Sequence, residues 1–107
     1  MKKLKMVVRR NLKMTANKTG AQCGHAAIGL YKKDPQEHYK CIVLEASDAK
    51  FEEAKVQHPE AYVVKDAGHT EVPAGSETVM AWWEEDERSG EIQSTQAGDP
   101  SADKVQG

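Results

Sequence analysis

Long apolar runs are missing from this chain: no stretch approaches the ~18 consecutive apolar residues that a helical membrane span needs. Cysteine is scarce. Cys23 and Cys41 could form one pair at most, and neither belongs to a C-x-x-C motif, so neither a disulfide framework nor C-x-x-C chemistry is indicated. No set of ligand residues has zinc spacing. Residues 1–14 mix lysines and arginines with isolated apolar residues, and no small-residue cleavage site follows a hydrophobic run, a pattern unlike a secretory leader. These absences lead to the expectation of a reduced, soluble, cytoplasmic protein with no membrane partner. At 107 residues it has room for one domain.

The net charge of −2 hides an asymmetry. Residues 1–40 carry ten Lys/Arg against Asp34 and Glu37, a net of +8, while residues 41–107 carry five bases against fifteen acids, a net of −10. A basic half suggests a polyanionic partner. The competing explanation is a solubilising surface, because segregation in sequence is not segregation in space.

LKMVVR (4–9) reads as a strand. Asn17 is a good N-cap for a helix from about Lys18 to Lys32, whose last-turn lysines suit the negative end of the helix dipole. Its glycines favour close packing on a sheet. DPQEH (34–38) is a loop and CIVLEA (41–46) a second strand. Ser47 or Asp48 caps a short helix, DAKFEEAKVQH, with apolar positions Ala49, Phe51, Ala54 and Val56 and a stop at Pro59. AYVVKD (61–66) and ETVMAWW (77–83) are the third and fourth strands. The order predicts an α/β fold with helices on the faces of an open sheet. The folded domain should span residues 1–83. Residues 84–107 form an acidic tail with too few apolar residues to fix itself, mostly mobile, with room for a short helix from Ser101.

Within NKTGAQCGHAA (17–27), Lys18, Gln22 and His25 fall inside about 60° of the helix surface, on an otherwise small and apolar element. A lysine in the first turn meets the positive end of the dipole and makes better sense beside an anion. On spacing alone, a solvated stripe is the simpler explanation. DAGHT (66–70) adds a second polar cluster. Asp66 ends the third strand, where open α/β sheets bind ligands. Gly68 permits an unusual turn, His69 brings an imidazole and Thr70 a hydroxyl. Taken alone, Asp66 could equally be a turn-forming residue.

Two separated stretches, VVR-x-x-LKM-x-x-x-K-x-x-x-QC-x-HAA (7–27) and KDAG-x-T-E-V-P-AG-x-x-TV (65–79), resemble the type II peptidyl-tRNA hydrolases; the likeness covers residues 4–81. The resemblance implies a three-layer α/β/α fold with a mixed four-stranded sheet, often dimeric, so a homodimer is one expected state. It also implies hydrolysis of the ester joining a peptide to the terminal ribose of tRNA, without cofactor or metal. Carried onto this chain, the catalytic set is Lys18, Gln22, His25, Asp66 and Thr70. In those roles Asp66 orients or deprotonates water, alone or through Thr70, and Lys18 stabilises the tetrahedral intermediate or grips a phosphate. Gln22 binds substrate or positions Lys18. His25 relays a proton or braces Asp66. RNA contact falls to Lys2, Lys3, Lys5, Arg9, Arg10, Lys13, Lys32 and Lys33. The sequence departs from the family after ETVMA. There WWEEDERSGEIQSTQAG replaces the usual Gly-Pro turn and C-terminal helix, so the third layer is expected to be incomplete.

Two other readings stand beside this one. Cys23, early in a helix, could be an activated thiolate, although a small packed residue is the commoner outcome; Cys41 is expected in the core. A catalytically inactive domain that binds tRNA or a protein is the non-enzymatic alternative.

Overall fold

Strand β1, Lys2–Arg9, sends its alternate side chains to two different cores, and this organises the protein. Leu4, Met6 and Val8 pack on one side of the sheet with Ala26, Leu30, Val64, Val79 and Ala81. Val7 packs on the other with Phe51, Met80 and Trp82. A strand with both faces covered must be central, and β1 is. In the computed structural model, which describes residues 1–68 and 71–86, the elements following β1 are a 3-10 turn (Arg10–Leu12), α1 (Ala16–Lys33), β2 (Tyr39–Ala46), α2 (Asp48–Gln57), β3 (Tyr62–Lys65) and β4 (Glu77–Glu85). The sheet order is β2-β1-β4-β3. β1 and β2 are parallel, and β4 is antiparallel to β1 and to β3. Helix α1 covers the first core and α2 the second, giving the α/β layers with the mixed four-stranded sheet that the sequence predicts. The expected tail beyond Asp86, including the helix from Ser101, lies outside the described residues.

Several boundaries move for identifiable reasons. The N-cap of α1 is Thr15 and not Asn17: the Thr15 hydroxyl accepts the Lys18 amide at 3.2 Å. Ser47 caps α2 in the same way. Strand β4 continues through Glu84 and Glu85, because its register sets those acids against Lys3 and Lys2 of β1. Lys2 pairs with Glu85 at 3.0 Å, Lys3 and Lys5 lie 3.7 and 3.6 Å from Glu84, and Lys40 pairs with Asp86 at 2.6 Å. The basic and acidic halves of the sequence thus meet in space as a ladder of opposite charges.

Two packing expectations fail. Cys41 is exposed, not in the core, because β2 is an edge strand and α1 lies over β1, β4 and β3 instead of over it. Val56 is 81% exposed, since only Phe51 of α2 is fully buried and the helix touches the sheet through a narrow contact. Of the glycines in α1, Gly29 has a packing reason, with the Tyr62 ring filling the space of a Cβ. Gly20 and Gly24 have nothing within 4 Å of that position.

Candidate active site

The carboxyl ends of β1 and β3 flank the start of β4, and three segments converge there: the first turns of α1, the loop leaving β3, and Thr78. Asp66 follows β3 directly. Its amide donates to the Ser76 carbonyl at 2.8 Å and its carbonyl accepts from the Gly75 amide at 2.7 Å, which closes the 66–76 loop at its base. The Gly68 amide donates to Asp66 Oδ2 at 2.7 Å, an Asx-type turn. Gly68 has φ +83, and a Cβ there would come within 2.6 Å of the Ala74 backbone. Glycine is therefore required at this turn.

Lys18 reaches this carboxylate across 48 residues of sequence, with Nζ 2.6 Å from Oδ1. The pair is largely withdrawn from water, its side chains 12% and 7% exposed. The anion that a first-turn lysine calls for is thus supplied by the fold. Gln22, one turn on, is buried: its Nε2 lies 3.4 Å from Asp66 Oδ1, and its Oε1 accepts from the Thr78 hydroxyl at 2.6 Å. A chain of contacts therefore runs Thr78–Gln22–Asp66–Lys18. His25 stands apart. It is exposed on α1, and among the described residues it makes no hydrogen bond to Asp66, so no contact accompanies the expected bracing. Thr70 and its neighbour His69 lie outside the described residues.

Thr78 lies inside the family-like stretch 65–79 but is not among the expected site residues, and its role comes from an irregularity. Along β4, Val79 and Ala81 face α1 while Met80 and Trp82 face α2, so strict alternation would turn Thr78 away from α1. The β3–β4 register shifts between Val64 and Lys65, however: Val64 is opposite Val79 while Lys65 is opposite Glu77. The extra residue is Thr78, and the bulge re-aims its side chain toward Gln22. Glu71, also within that stretch, is the other residue to which the sequence reading assigns no role. Its carboxylate accepts the Thr15 amide at 2.8 Å and the Thr15 hydroxyl at 2.6 Å, clamping the loop to the start of α1. Those two hydrogen bonds, with a smaller contribution from Lys18, hold the Glu71 carboxyl below its ordinary range.

Burial pushes the Cys23 thiol up, the opposite of what an activated nucleophile needs; Cys23 packs beside the α1 core. Among the described residues no group of three His, Cys, Asp or Glu side chains could hold a metal ion, and no helix is long and apolar enough to cross a membrane. The expected RNA-binding residues divide into two sets. Lys2, Lys3, Lys5 and Arg9 are engaged with Glu85, Glu84 and Asp48, and Lys33 donates to the Glu60 carbonyl. Arg10, Lys13 and Lys32 are exposed and make no ion pair among the described residues.

A family profile described as "Peptidyl-tRNA hydrolase PTH2" matches residues 2–88. The chain is 35% identical over 95 residues to the probable peptidyl-tRNA hydrolase 2 of Drosophila melanogaster, covering 74% of this chain and 51% of the relative. It is 35% identical over 94 residues to the mitochondrial peptidyl-tRNA hydrolase 2 of Bos taurus, covering 73% and 52%. With the peptidyl-tRNA hydrolase of Methanothermobacter thermautotrophicus it shares 32% identity over 88 residues, covering 70% and 79%. The chain spans about half the length of the two animal relatives and most of the archaeal one. By the extent of these matches, it belongs to the PTH2 family of peptidyl-tRNA hydrolases.

Proposed function

We propose that this chain hydrolyses the ester between a peptide and the terminal ribose of tRNA. The single observation that carries the reading is the sequestered Lys18–Asp66 pair at the carboxyl ends of the strands. Ester hydrolysis needs a proton acceptor for the attacking water and a donor for the oxyanion that develops on the carbonyl. Asp66 serves as the acceptor, with the Thr70 hydroxyl assisting. The Lys18 ammonium has three donors, so it can keep its bond to Asp66 while donating to the oxyanion. Water adds its oxygen to the carbonyl carbon and gives its proton to Asp66. The tetrahedral intermediate then expels the ribose oxygen, which takes up that proton. Gln22, fixed by Thr78, holds the carboxylate in place and leaves Lys18 aimed outward. His25 contacts the substrate further along α1.

RNA is drawn to the site by Arg10, Lys13 and Lys32, with the ion-paired strand lysines contributing less than their number suggests. Recognition is of backbone and shape, since the substrate class shares an acceptor stem and a CCA end. The homodimer and the cytoplasmic setting belong to the same proposal. Sedimentation of the full chain reads the first, a monomer at micromolar concentration removing it; cell fractionation reads the second, a wholly organellar protein removing it.

The test is release of an N-blocked amino acid from its tRNA ester. Wild-type protein should release it catalytically. Lys18→Ala should lower kcat by about 10²–10³, the range for loss of an oxyanion donor, and Asp66→Asn by about 10²–10⁴, the range for loss of a general base. Binding of tRNA without any release by the wild-type chain would overturn the proposal in favour of a binding module.

A further inference from the structure

An open groove of about 310 Å³ lies between α1 and the outer edge of β3, lined by His25, Ile28, Lys32, Tyr62, Val64 and Lys65 together with Gly29. Three features distinguish it. Its wall carries His25, Lys32 and Lys65 and, among the described residues, no acid, in a chain whose net charge is −2. Lys32 and Lys65 are exposed and make no ion pair among the described residues, whereas the cations of β1 are matched by Glu84, Glu85 and Asp48. The groove also has an aromatic floor: the Tyr62 ring lies so close to the helix that a Cβ at Gly29 would come within 2.3 Å of it, and the residue keeps 37% exposure.

Its position links it to the chemistry. Lys18, Gln22, His25, Gly29 and Lys32 follow one line along α1 at helical spacing, and from Lys18 to Lys32 the axis rises about 21 Å. Lys65, on the opposite wall, immediately precedes Asp66. Cations spaced along a channel with an exposed ring suit a polyanion carrying planar groups, which is the pattern of single-stranded nucleic acid binding. A duplex cannot present its base faces to such a ring, because they are stacked on one another.

We infer that this groove receives the unpaired 3′ end of the substrate RNA, with Tyr62 stacking on a base and Lys32 and Lys65 meeting phosphates, so that the terminal ribose arrives at Lys18 and Asp66. The inference rests on the substrate being an RNA ester. The experiment uses the full chain and two RNA hairpins of identical stem, one with an unpaired 3′-ACCA end and one blunt, with affinity read by fluorescence anisotropy. Wild-type protein should bind the overhanging hairpin about tenfold more tightly than the blunt one, the scale of one stacked base. Tyr62→Ala should erase most of that preference while leaving blunt-hairpin affinity within about twofold, and Lys32→Ala should weaken the overhanging hairpin more than the blunt one. Lys32→Ala should also reduce the slope of log K against log salt for the overhanging RNA by about 0.7. Wild-type indifference to the overhang, or variants that weaken both hairpins equally, would overturn the inference. So would displacement of the RNA by a polyglutamate peptide of equal charge, which would assign the groove to an acidic protein. The hydrolysis assay is scored separately: release of the blocked amino acid with no overhang preference removes the groove alone, and an overhang preference without release removes the catalytic reading alone.

Discussion

Replacing Thr78 by Val keeps the shape of the side chain and deletes one hydroxyl, and the structure sets what that should cost. Thr78 is fully buried and Gln22 nearly so. The hydroxyl is the donor at 2.6 Å to Gln22 Oε1, whose amide nitrogen faces Asp66 at 3.4 Å. Thr78→Val leaves a buried amide oxygen without this donor, which costs about 1–3 kcal/mol. In a domain of this size each kcal/mol is worth roughly 4–8 °C of Tm, so a midpoint loss near 2 kcal/mol lowers Tm by about 8–16 °C. Activity should fall further than stability explains at the assay temperature. Once unlocked, the Gln22 amide can rotate and turn its oxygen toward the Asp66 carboxylate, and a misplacement of about 1 Å in a catalytic group costs up to 10²-fold. We therefore expect kcat to drop between about tenfold and a hundredfold while tRNA affinity is unchanged. Thr78→Ser, which restores the hydroxyl, should recover most of both losses. Thermal unfolding by circular dichroism and steady-state release of the blocked amino acid measure the two effects. A Thr78→Val protein with wild-type Tm and wild-type kcat would refute the argument that the bulge fixes the Gln22 amide for the proposed chemistry.

Glu71→Gln should change how stability depends on pH. The native Glu71 carboxyl titrates below its ordinary value, so its stabilisation is present above the unfolded pKa of about 4.3 and is lost as pH falls through the lower native value. The Tm difference between wild type and Glu71→Gln should be constant from neutral pH to about 5 and should shrink below that; a constant difference down to pH 3 would remove the clamp as its source. Iodoacetamide at pH 7 should label Cys41 well before Cys23, because Cys41 is exposed while Cys23 is partly buried with its thiol pushed up. Peptide mass mapping of the first adduct checks this, and preferential labelling of Cys23 would revive the thiolate reading. Gly29→Ala should displace the Tyr62 ring, whose atoms lie 2.3 Å from the new Cβ. It should cost the overhang preference with a Tm change of only a few degrees, whereas unfolding at room temperature would mean that the ring is a structural support.

The layered α/β fold was legible because its signals are local: LKMVVR is an apolar, β-branched run flanked by charge, and two capped helices separate the first three strands. Asp66 was legible as the end of a strand, and Lys18 as a cation at the wrong end of a dipole. The resemblance to a known family joined them. What stayed hidden is tertiary. By residue type Asn17 is a better cap than Thr15, and the carboxylate of Glu71, arriving from a distant loop, goes with the choice of Thr15. The direction of the Thr78 side chain was hidden because a bulge breaks the two-residue rhythm on which strand reading depends. Cys41 was misplaced because no local pattern says which strand forms the edge. The charge asymmetry left two readings open for a related reason: part of it becomes an internal ladder once β4 lies antiparallel to β1.

The last strand of the described chain sits in the middle of the sheet, hydrogen-bonded to β1 on one side and to β3 on the other. During synthesis, everything before residue 77 can make only the β1–β2 half, while β3 and its Asp66 have no partner strand. Lys18 and Asp66 cannot meet until Glu77–Glu85 has left the ribosome and threaded the gap. Under the proposed function, a nascent copy is inert toward ester-linked tRNA until β4 is free, and a fragment stopping short of β4 lacks the Lys18–Asp66 pairing however well its first helix forms.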